Sequence, residues 1–315
     1  MKIVVVGAGG VGGYFGGRLA QAGFDLTFLL RDAQFEAIKQ NGLQVKSIKG
    51  DFKVFPKVIN DVKTLNNTPD LIILGIKSWQ LIALAKQIKP IIGKNTLVLP
   101  LQNGADNADK LLTVLPRKNV LAGLCRIVSK VESPGIINHF DFEPEIIFGN
   151  LNNQITEPLK ALKNTFDKAG IKNKLSENIL TDIWIKFLFI TTYSGIGALT
   201  RMPIGAVRAH AYLMNMMLET ADEVLQIAQA KKIALTQQNV KNCISAIENL
   251  DYHSTASMQR DLMEGKPSEL ENFNGYIVKQ GLELGIKTPI NDFIYYCLLP
   301  QEQKARKLLD RKSVV

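Results

Sequence analysis

Cysteine is scarce in this 315-residue chain: Cys125, Cys243 and Cys297 are widely spaced, odd in number, and form no C-x-x-C pair. That excludes a disulfide framework and a zinc ribbon, and points to reduced thiols in a cytoplasmic protein. Histidine is equally rare. His139, His210 and His253 stand in no recognisable pairing with a carboxylate. Asp141, Glu143 and Glu145 alternate as on an exposed strand edge, so no metal site is expected. A long apolar run is also missing. Residues 187–200 are apolar but bounded by Lys186, too short a stretch to cross about 30 Å of hydrocarbon. The chain opens directly on a strand-like Ile3-Val4-Val5-Val6, without the longer apolar region and cleavage site of a secretory signal.

Concentrated charge is lacking as well. The formal net charge is +9, yet Lys and Arg are scattered. An excess of this sign favours anionic partners: phosphorylated cofactors, carboxylate substrates, nucleic acid or a membrane surface. No nucleic-acid-binding motif is present, so neither nucleic acid nor membrane is expected as a partner. The densest cluster, Lys304 to Lys307 with Arg311 and Lys312, reads as a solvated helix face.

What is present is a regular alternation. Residues 3–6, 26–30, Leu71–Leu74 and 96–101 are short β-rich runs, and helical patterns follow at 14–22 and Leu81–Ile88. Such β-α-β order predicts a parallel sheet flanked by helices. Weaker strands are expected at Leu43–Ser47 and 52–58, and antiparallel ones at 120–130, 136–142 and 145–148, so the sheet is expected to be mixed. From Ser176, a candidate helix cap, helical patterns dominate: 179–193, 204–231, 237–250, 270–284 and 290–298. The apolar stretch 213–218 can pack inside that domain or at a dimer interface, so a monomer or a homodimer is expected.

The run Gly7-Ala8-Gly9-Gly10-Val11-Gly12 matches G-x-G-x-x-G directly after a strand and at the start of a helix. In that context Gly7 permits the tight turn, Gly9 lets the backbone approach a pyrophosphate, and Gly12 lets helix and strand pack closely. The helix N-terminus then offers N–H groups and positive dipole to phosphate. FAD shares this turn, but no further flavin-contacting segment is recognisable. The second strand runs into Leu30-Arg31-Asp32. Arg31 stands where an acidic residue would bind the ribose 2′-OH, and it favours the 2′-phosphate of NADPH. Asp32 is expected to cap a helix beginning at Ala33.

Strand carboxyl ends are where ligands sit in such sheets. One end carries Gly75-Ile76-Lys77-Ser78 and another Gln102-Asn103-Gly104. Lys77 suits an anion, and Asn103 suits the nicotinamide or a substrate oxygen. Reducing a ketone also needs a proton donor for the developing oxyanion. Lys186, set among Trp184, Ile185, Phe187, Leu188 and Phe189, is the best candidate. A lysine in such surroundings either snorkels to water or is desolvated and made a better acid.

In order and spacing, these pieces resemble the ketopantoate reductase (2-dehydropantoate 2-reductase) family. The resemblance covers nearly the whole chain and rests on Gly7 to Gly12, Arg31, Ile76-Lys77-Ser78-x-Gln80, Leu101-Gln102-Asn103-Gly104, Trp184-Ile185-Lys186, Ser257-Met258-x-x-Asp261 and Ser268-Glu269-Leu270-Glu271. The change of pattern at Ser176 places a domain boundary near residue 175, dividing the chain into 1–175 and 176–315. The resemblance implies that the first is an α/β Rossmann-type domain with a mostly parallel or mixed sheet and the second all-α, with the active site in the cleft between them. It further implies NADPH, Lys186 as general acid, and Glu269 near the substrate hydroxyl. Ser257 would hydrogen-bond the substrate, Asn103 would lie where cofactor and substrate meet, Lys77 would border the cleft, and Arg31 would hold the 2′-phosphate. One departure stands out. Four and eight residues after the lysine, where well-known members carry substrate-contacting asparagines, this chain has Ile190 and Ser194.

The expected activity is therefore NADPH-dependent reduction of a small 2-oxo acid, with ketopantoate to pantoate first. A reductase of a different 2-oxo acid, and a non-catalytic NADPH-binding regulator, are the alternatives.

Overall fold

The run Ile3 to Val6 lies at the centre of a parallel sheet, covered on both faces as its unbroken apolar character requires. The computed structural model describes residues 1–308. It divides into two units, Met1–Leu180 and the chain from Thr181 onward.

In the first unit the order is β1 (Lys2–Val6), α1 (Gly10–Gln21), β2 (Asp25–Leu29), α2 (Asp32–Asn41), β3 (Leu43–Ser47), β4 (Phe52–Val54), β5 (Lys57–Ile59), β6 (Leu71–Leu74), α3 (Leu81–Ile88), β7 (Leu97–Pro100) and α4 (Asn107–Leu112). Then follow β8 (Ala122–Arg126), β9 (Ser129–Ser133), β10 (Ile136–His139), β11 (Glu145–Gly149), α5 (Glu157–Lys168) and β12 (Lys172–Leu175). Five parallel strands form one sheet in the order β5-β2-β1-β6-β7. Two smaller mixed sheets, β4-β3-β10-β9 and β12-β11-β8, accompany it. The expected single mixed sheet is thus three sheets. Two β-rich runs are divided between them. Residues 52–58 break at Pro56, which has no N–H for a ladder, into β4 and β5 of different sheets. Residues 120–130 divide into β8 and β9, again in different sheets.

Helix α1 is packed between two sheets. A methyl group at Gly16 would lie 2.5 Å from Phe28 of the parallel sheet, and one at Gly13 would lie 2.7 Å from Ile137 of β10. Small residues let this helix approach both layers, while Phe15, fully buried, contributes about 2 kcal/mol by leaving water. Asp32 does not cap α2. It is the first helical residue, at φ +49°, and Arg31 occupies the cap position without a side-chain cap bond.

The second unit is helical: α6 (Ile179–Thr200), α7 (Ile204–Arg208), α8 (Ala211–Ala230), α9 (Gln237–Glu248), α10 (Ser257–Met263), α11 (Asn274–Leu284) and α12 (Pro289–Ala305). Helix α6 begins in the last two residues of the first unit. The expected helix over 204–231 is interrupted between Arg208 and Ala211, and the one over 270–284 is a 3-10 turn, Leu270–Asn272, and then α11. Lys186 does not bound a short apolar segment. It lies inside the 22-residue α6, which is long and apolar enough to cross a membrane by length and composition, with 67% of the apolar window buried in the protein.

The start of α12 is held by Glu223 of α8. Its carboxylate accepts from Ile290 N (2.8 Å), Asn291 N (2.9 Å) and Asn291 Nδ2 (2.6 Å). Burial pushes this carboxyl up, and the three donors oppose that push.

Cys125 and Cys243 are buried and Cys297 is exposed. Burial pushes the Cys243 thiol up to about 12, with the Thr192 hydroxyl pulling the other way. Because the thiolate is the reactive form, a thiol reagent is expected to label Cys297 alone in the native protein and all three cysteines after unfolding. Rapid labelling of native Cys297→Ser protein would contradict this burial.

Candidate active site

In the parallel sheet the chain moves from β1 outward to β2 and β5, then returns to add β6 and β7 on the other side. The carboxyl ends of β1 and β6 are therefore the switch point, where a crevice opens in sheets of this kind. Gly7 follows β1 and Gly75 follows β6. Gly7 N donates to Leu29 O (3.0 Å) and Gly75 N to Val6 O (2.9 Å), which fixes both turns to the sheet.

The glycines of the turn divide their tasks as their spacing implies. Gly7 has φ +87°, a conformation that side chains disfavour. A methyl group at Gly12 would overlap the Gly7 carbonyl oxygen. At Gly9 it would meet only Gly75 O, at 3.8 Å, so this side of the turn is open. Gly9 is also the N-cap of α1 and has no side chain to satisfy the first N–H groups. An open approach next to uncapped N–H groups fits an anionic pyrophosphate. Gly10, by contrast, is covered by Ser129, 2.7 Å from a methyl group placed there.

Other residues singled out in the sequence lie along the same edge. Arg31, exposed, follows β2, and its Nη2 donates to Gln87 Oε1 of α3 (2.6 Å). Lys77, exposed, caps the 3-10 turn Ser78–Gln80 after β6, with Nζ 5.6 Å from the centre of the Trp79 ring. Asn103 follows β7, and its loop is pinned from beneath. Asn107 Nδ2 donates to the carbonyls of Gln102 (3.0 Å), Asn103 (3.2 Å) and Gly104 (3.4 Å), and Gln102 Nε2 donates to Leu74 O (3.1 Å). Gly75, Gln87, Gln102 and Asn107 were not foreseen as supports. Only Gly75, a glycine directly after a buried strand, carried a local signal.

In the second unit, Lys186, Ile190 and Ser194 share one face of α6 through their four-residue spacing. Lys186 is half-buried, Ile190 is half-buried, and Ser194 is buried. Nearby on this helix the Tyr193 hydroxyl is buried without a hydrogen-bond partner among the described residues, and burial pushes it up to about 12. Aromatic rings anchor the helix. Phe187 meets Trp184 (5.4 Å between centres), Tyr276 (5.7 Å) and Phe273 (6.4 Å). Close approaches continue further along, since a methyl group at Gly195 would lie 3.0 Å from Asn274 and one at Gly197 would lie 2.7 Å from Gln259.

These contacts bring the segments carrying Lys186, Glu269 and Ser257 against one helix. Glu269, buried, precedes the 3-10 turn Leu270–Asn272, which is followed directly by Phe273, the partner of Phe187. Ser257, exposed, is the first residue of α10, whose Gln259 meets Gly197. The basic tail is not wholly a solvated face. Lys304 and Lys307 are exposed, but Arg306 is half-buried and bonded to Glu302 and Ser268. Arg311 and Lys312 lie outside the described residues. Among the described residues no group of three or more His, Cys, Asp or Glu is placed to hold a metal ion.

The family described as Ketopantoate reductase PanE/ApbA matches residues 3–153, and its C-terminal counterpart matches residues 178–302. The chain is 30% identical over 295 residues to the uncharacterized oxidoreductase YkpB of Bacillus subtilis, covering 94% of this chain and 97% of that protein. It is 30% identical over 291 residues to the 2-dehydropantoate 2-reductase of Pyrococcus abyssi, covering 92% and 94%. Among solved structures, D-mandelate dehydrogenase with NADH and anilino(oxo)acetate superposes with a TM-score of 0.89 at 25% identity, covering 97% of this chain and 99% of that one. A glycine turn at the switch point of a parallel sheet, a helical second unit, and matches along both halves lead to one conclusion: the chain belongs to the ketopantoate reductase (PanE/ApbA) family of oxidoreductases.

Proposed function

We propose that this chain uses NADPH to reduce the C2 ketone of 2-dehydropantoate (ketopantoate), giving pantoate, a precursor of pantothenate and coenzyme A. The observation that carries the proposal is the glycine turn after β1, where Gly9 leaves one side open beside uncapped N–H groups while Gly7 and Gly12 leave the turn little room to move. When bound there, the nicotinamide supplies the hydride that adds to the carbonyl carbon. Gly7, Ala8, Gly9, Gly10, Val11 and Gly12 cradle the pyrophosphate, Arg31 pairs with the 2′-phosphate, and Lys77 adds positive charge at the same edge. Asn103, on its pinned loop, orients the nicotinamide or a substrate oxygen.

Lys186 gives a proton to the carbonyl oxygen as negative charge develops on it, leaving a neutral amine to be reprotonated from water. Ser257 and Ser194 hydrogen-bond the substrate. Glu269 accepts from the substrate hydroxyl and orders the groups around Lys186. Holding the reactants in register contributes much of the acceleration.

A second reading, reduction of a different 2-oxo acid, is favoured by Ile190. Its side chain offers no hydrogen bond on the face that carries Lys186, and the similar fold of D-mandelate dehydrogenase was solved with anilino(oxo)acetate bound.

Loss of NADPH absorbance with ketopantoate, and with aliphatic and aromatic 2-oxo acids, separates these outcomes. Ketopantoate turned over best supports the first proposal, and turnover confined to another 2-oxo acid moves the assignment to the second. Turnover of none rejects both. In the same assay Arg31→Ala is expected to raise KM for NADPH about 10- to 100-fold, the worth of a charge-assisted bond, and to leave KM for NADH unchanged. Equal effects on both cofactors would remove Arg31 from the 2′-phosphate site.

A further inference from the structure

We propose that Glu302 and Arg306, on the last turns of α12, form a buried clamp that positions Glu269. This rests on the role given to Glu269 above. The Glu302 carboxylate is 1% exposed and takes four hydrogen bonds. Ser268 N donates to Oε1 (3.1 Å) and Oε2 (3.0 Å), Ser268 Oγ donates to Oε2 (2.5 Å), and Arg306 Nε donates to Oε1 (2.5 Å). Arg306 Nη2 then reaches past the carboxylate to donate to Ser268 O (2.9 Å). Every polar group of Ser268 is thereby tied to this pair.

The tie extends to the other side of Glu269. Leu270 N donates to Ser268 Oγ (3.2 Å), and Glu269 O accepts from Asn272 N (2.9 Å) and Phe273 N (3.0 Å). The backbone before and after Glu269 is thus fixed. Burying a charged pair costs solvation comparable to what its attraction returns. A pair retained at this place, on the residue adjoining Glu269, fits a need for precision more than for stability. Misplacing a reacting group by about 1 Å is enough to cost about 10²-fold in rate. Glu302 and Arg306 are positioning residues, not catalytic ones, because neither is assigned to touch substrate.

Arg306→Met removes the outer member of the clamp and keeps its hydrocarbon volume. It is expected to lower kcat about tenfold, with KM for NADPH unchanged and the urea midpoint above assay conditions. Glu302→Ala should be more severe, and Glu302→Gln, which keeps an acceptor for Ser268, should recover part of the loss. The decisive measurement repeats Arg306→Met in a Glu269→Ala background. If the clamp acts through Glu269, the second change alters kcat less than twofold there. An undiminished tenfold loss in that background, or wild-type kcat in folded Arg306→Met protein, overturns the clamp. If Glu269→Ala alone leaves kcat unchanged, it is the role of Glu269 that fails, and the clamp falls with it.

Discussion

Lys186→Ala is expected to lower kcat for 2-oxo acid reduction by about 10²- to 10⁴-fold, the usual worth of a positioned proton donor. That corresponds to about 3–5.5 kcal/mol of transition-state stabilisation. The ammonium has two tasks in the proposed reaction: its charge stabilises the forming alkoxide, and its proton ends on that oxygen. Alanine removes both. Lys186→Arg keeps the charge but not a transferable proton, since guanidinium does not titrate near neutrality. Its kcat should lie between alanine and wild type, closer to alanine. The affinity for NADPH, measured by titration without substrate, should stay within twofold in both variants, because the glycine turn proposed to bind it lies in the first unit. A kcat within tenfold of wild type in folded Lys186→Ala protein would remove this lysine from the role of acid.

Gly12→Ala is expected to abolish measurable cofactor binding or to prevent folding, whereas Gly205→Ala should do neither. A methyl group at each position overlaps a neighbour, so the two look equivalent if only distance is counted. They differ in what must yield. At Gly12 the obstacle is the carbonyl oxygen of Gly7, part of a turn bonded to β2 and closed on its other side by Gly75, 3.4 Å away at Cα. Nothing there can rotate away, so helix and turn must separate, at a cost of several kcal/mol by the scale of overpacked cores. At Gly205 the obstacle is the ring of Tyr252, which is 52% exposed and can swing into water. The loss there should be about 1 kcal/mol or less. Urea midpoints and NADPH titrations on the two variants test the contrast. Equal destabilisation would mean that the turn is softer than its bonding suggests.

The parallel sheet could be read from the chain because each of its central strands is buried on both faces. β1 and β6 are unbroken apolar runs, and a glycine or helix signal follows each. The smaller sheets were less visible. Nothing in residues 120–130 marks the point where the chain leaves one sheet for another, since partnership is decided by strands distant in sequence. Local patterns also overstated helix length at 204–231, where the interruption after Arg208 brings its guanidinium to the carbonyls of Ile247, Glu248 and Leu250. In the site, Lys186 was conspicuous as a charge within an apolar stretch. Glu269 had no such local mark and entered only through resemblance. Glu302 and Arg306 were hidden for a plainer reason. Four residues apart at the start of a basic tail, they look like an ordinary surface pair until α12 brings them to Ser268, 34 and 38 residues earlier.

That separation also sets an order in time. At about 5–20 residues per second, a ribosome that has just added Ser268 needs about 2–7 s more to reach Glu302. The glycine turn and its parallel sheet are long since available by then. A nascent chain therefore passes through a stage in which the glycine turn is complete while Ser268 still lacks the partners that fix it.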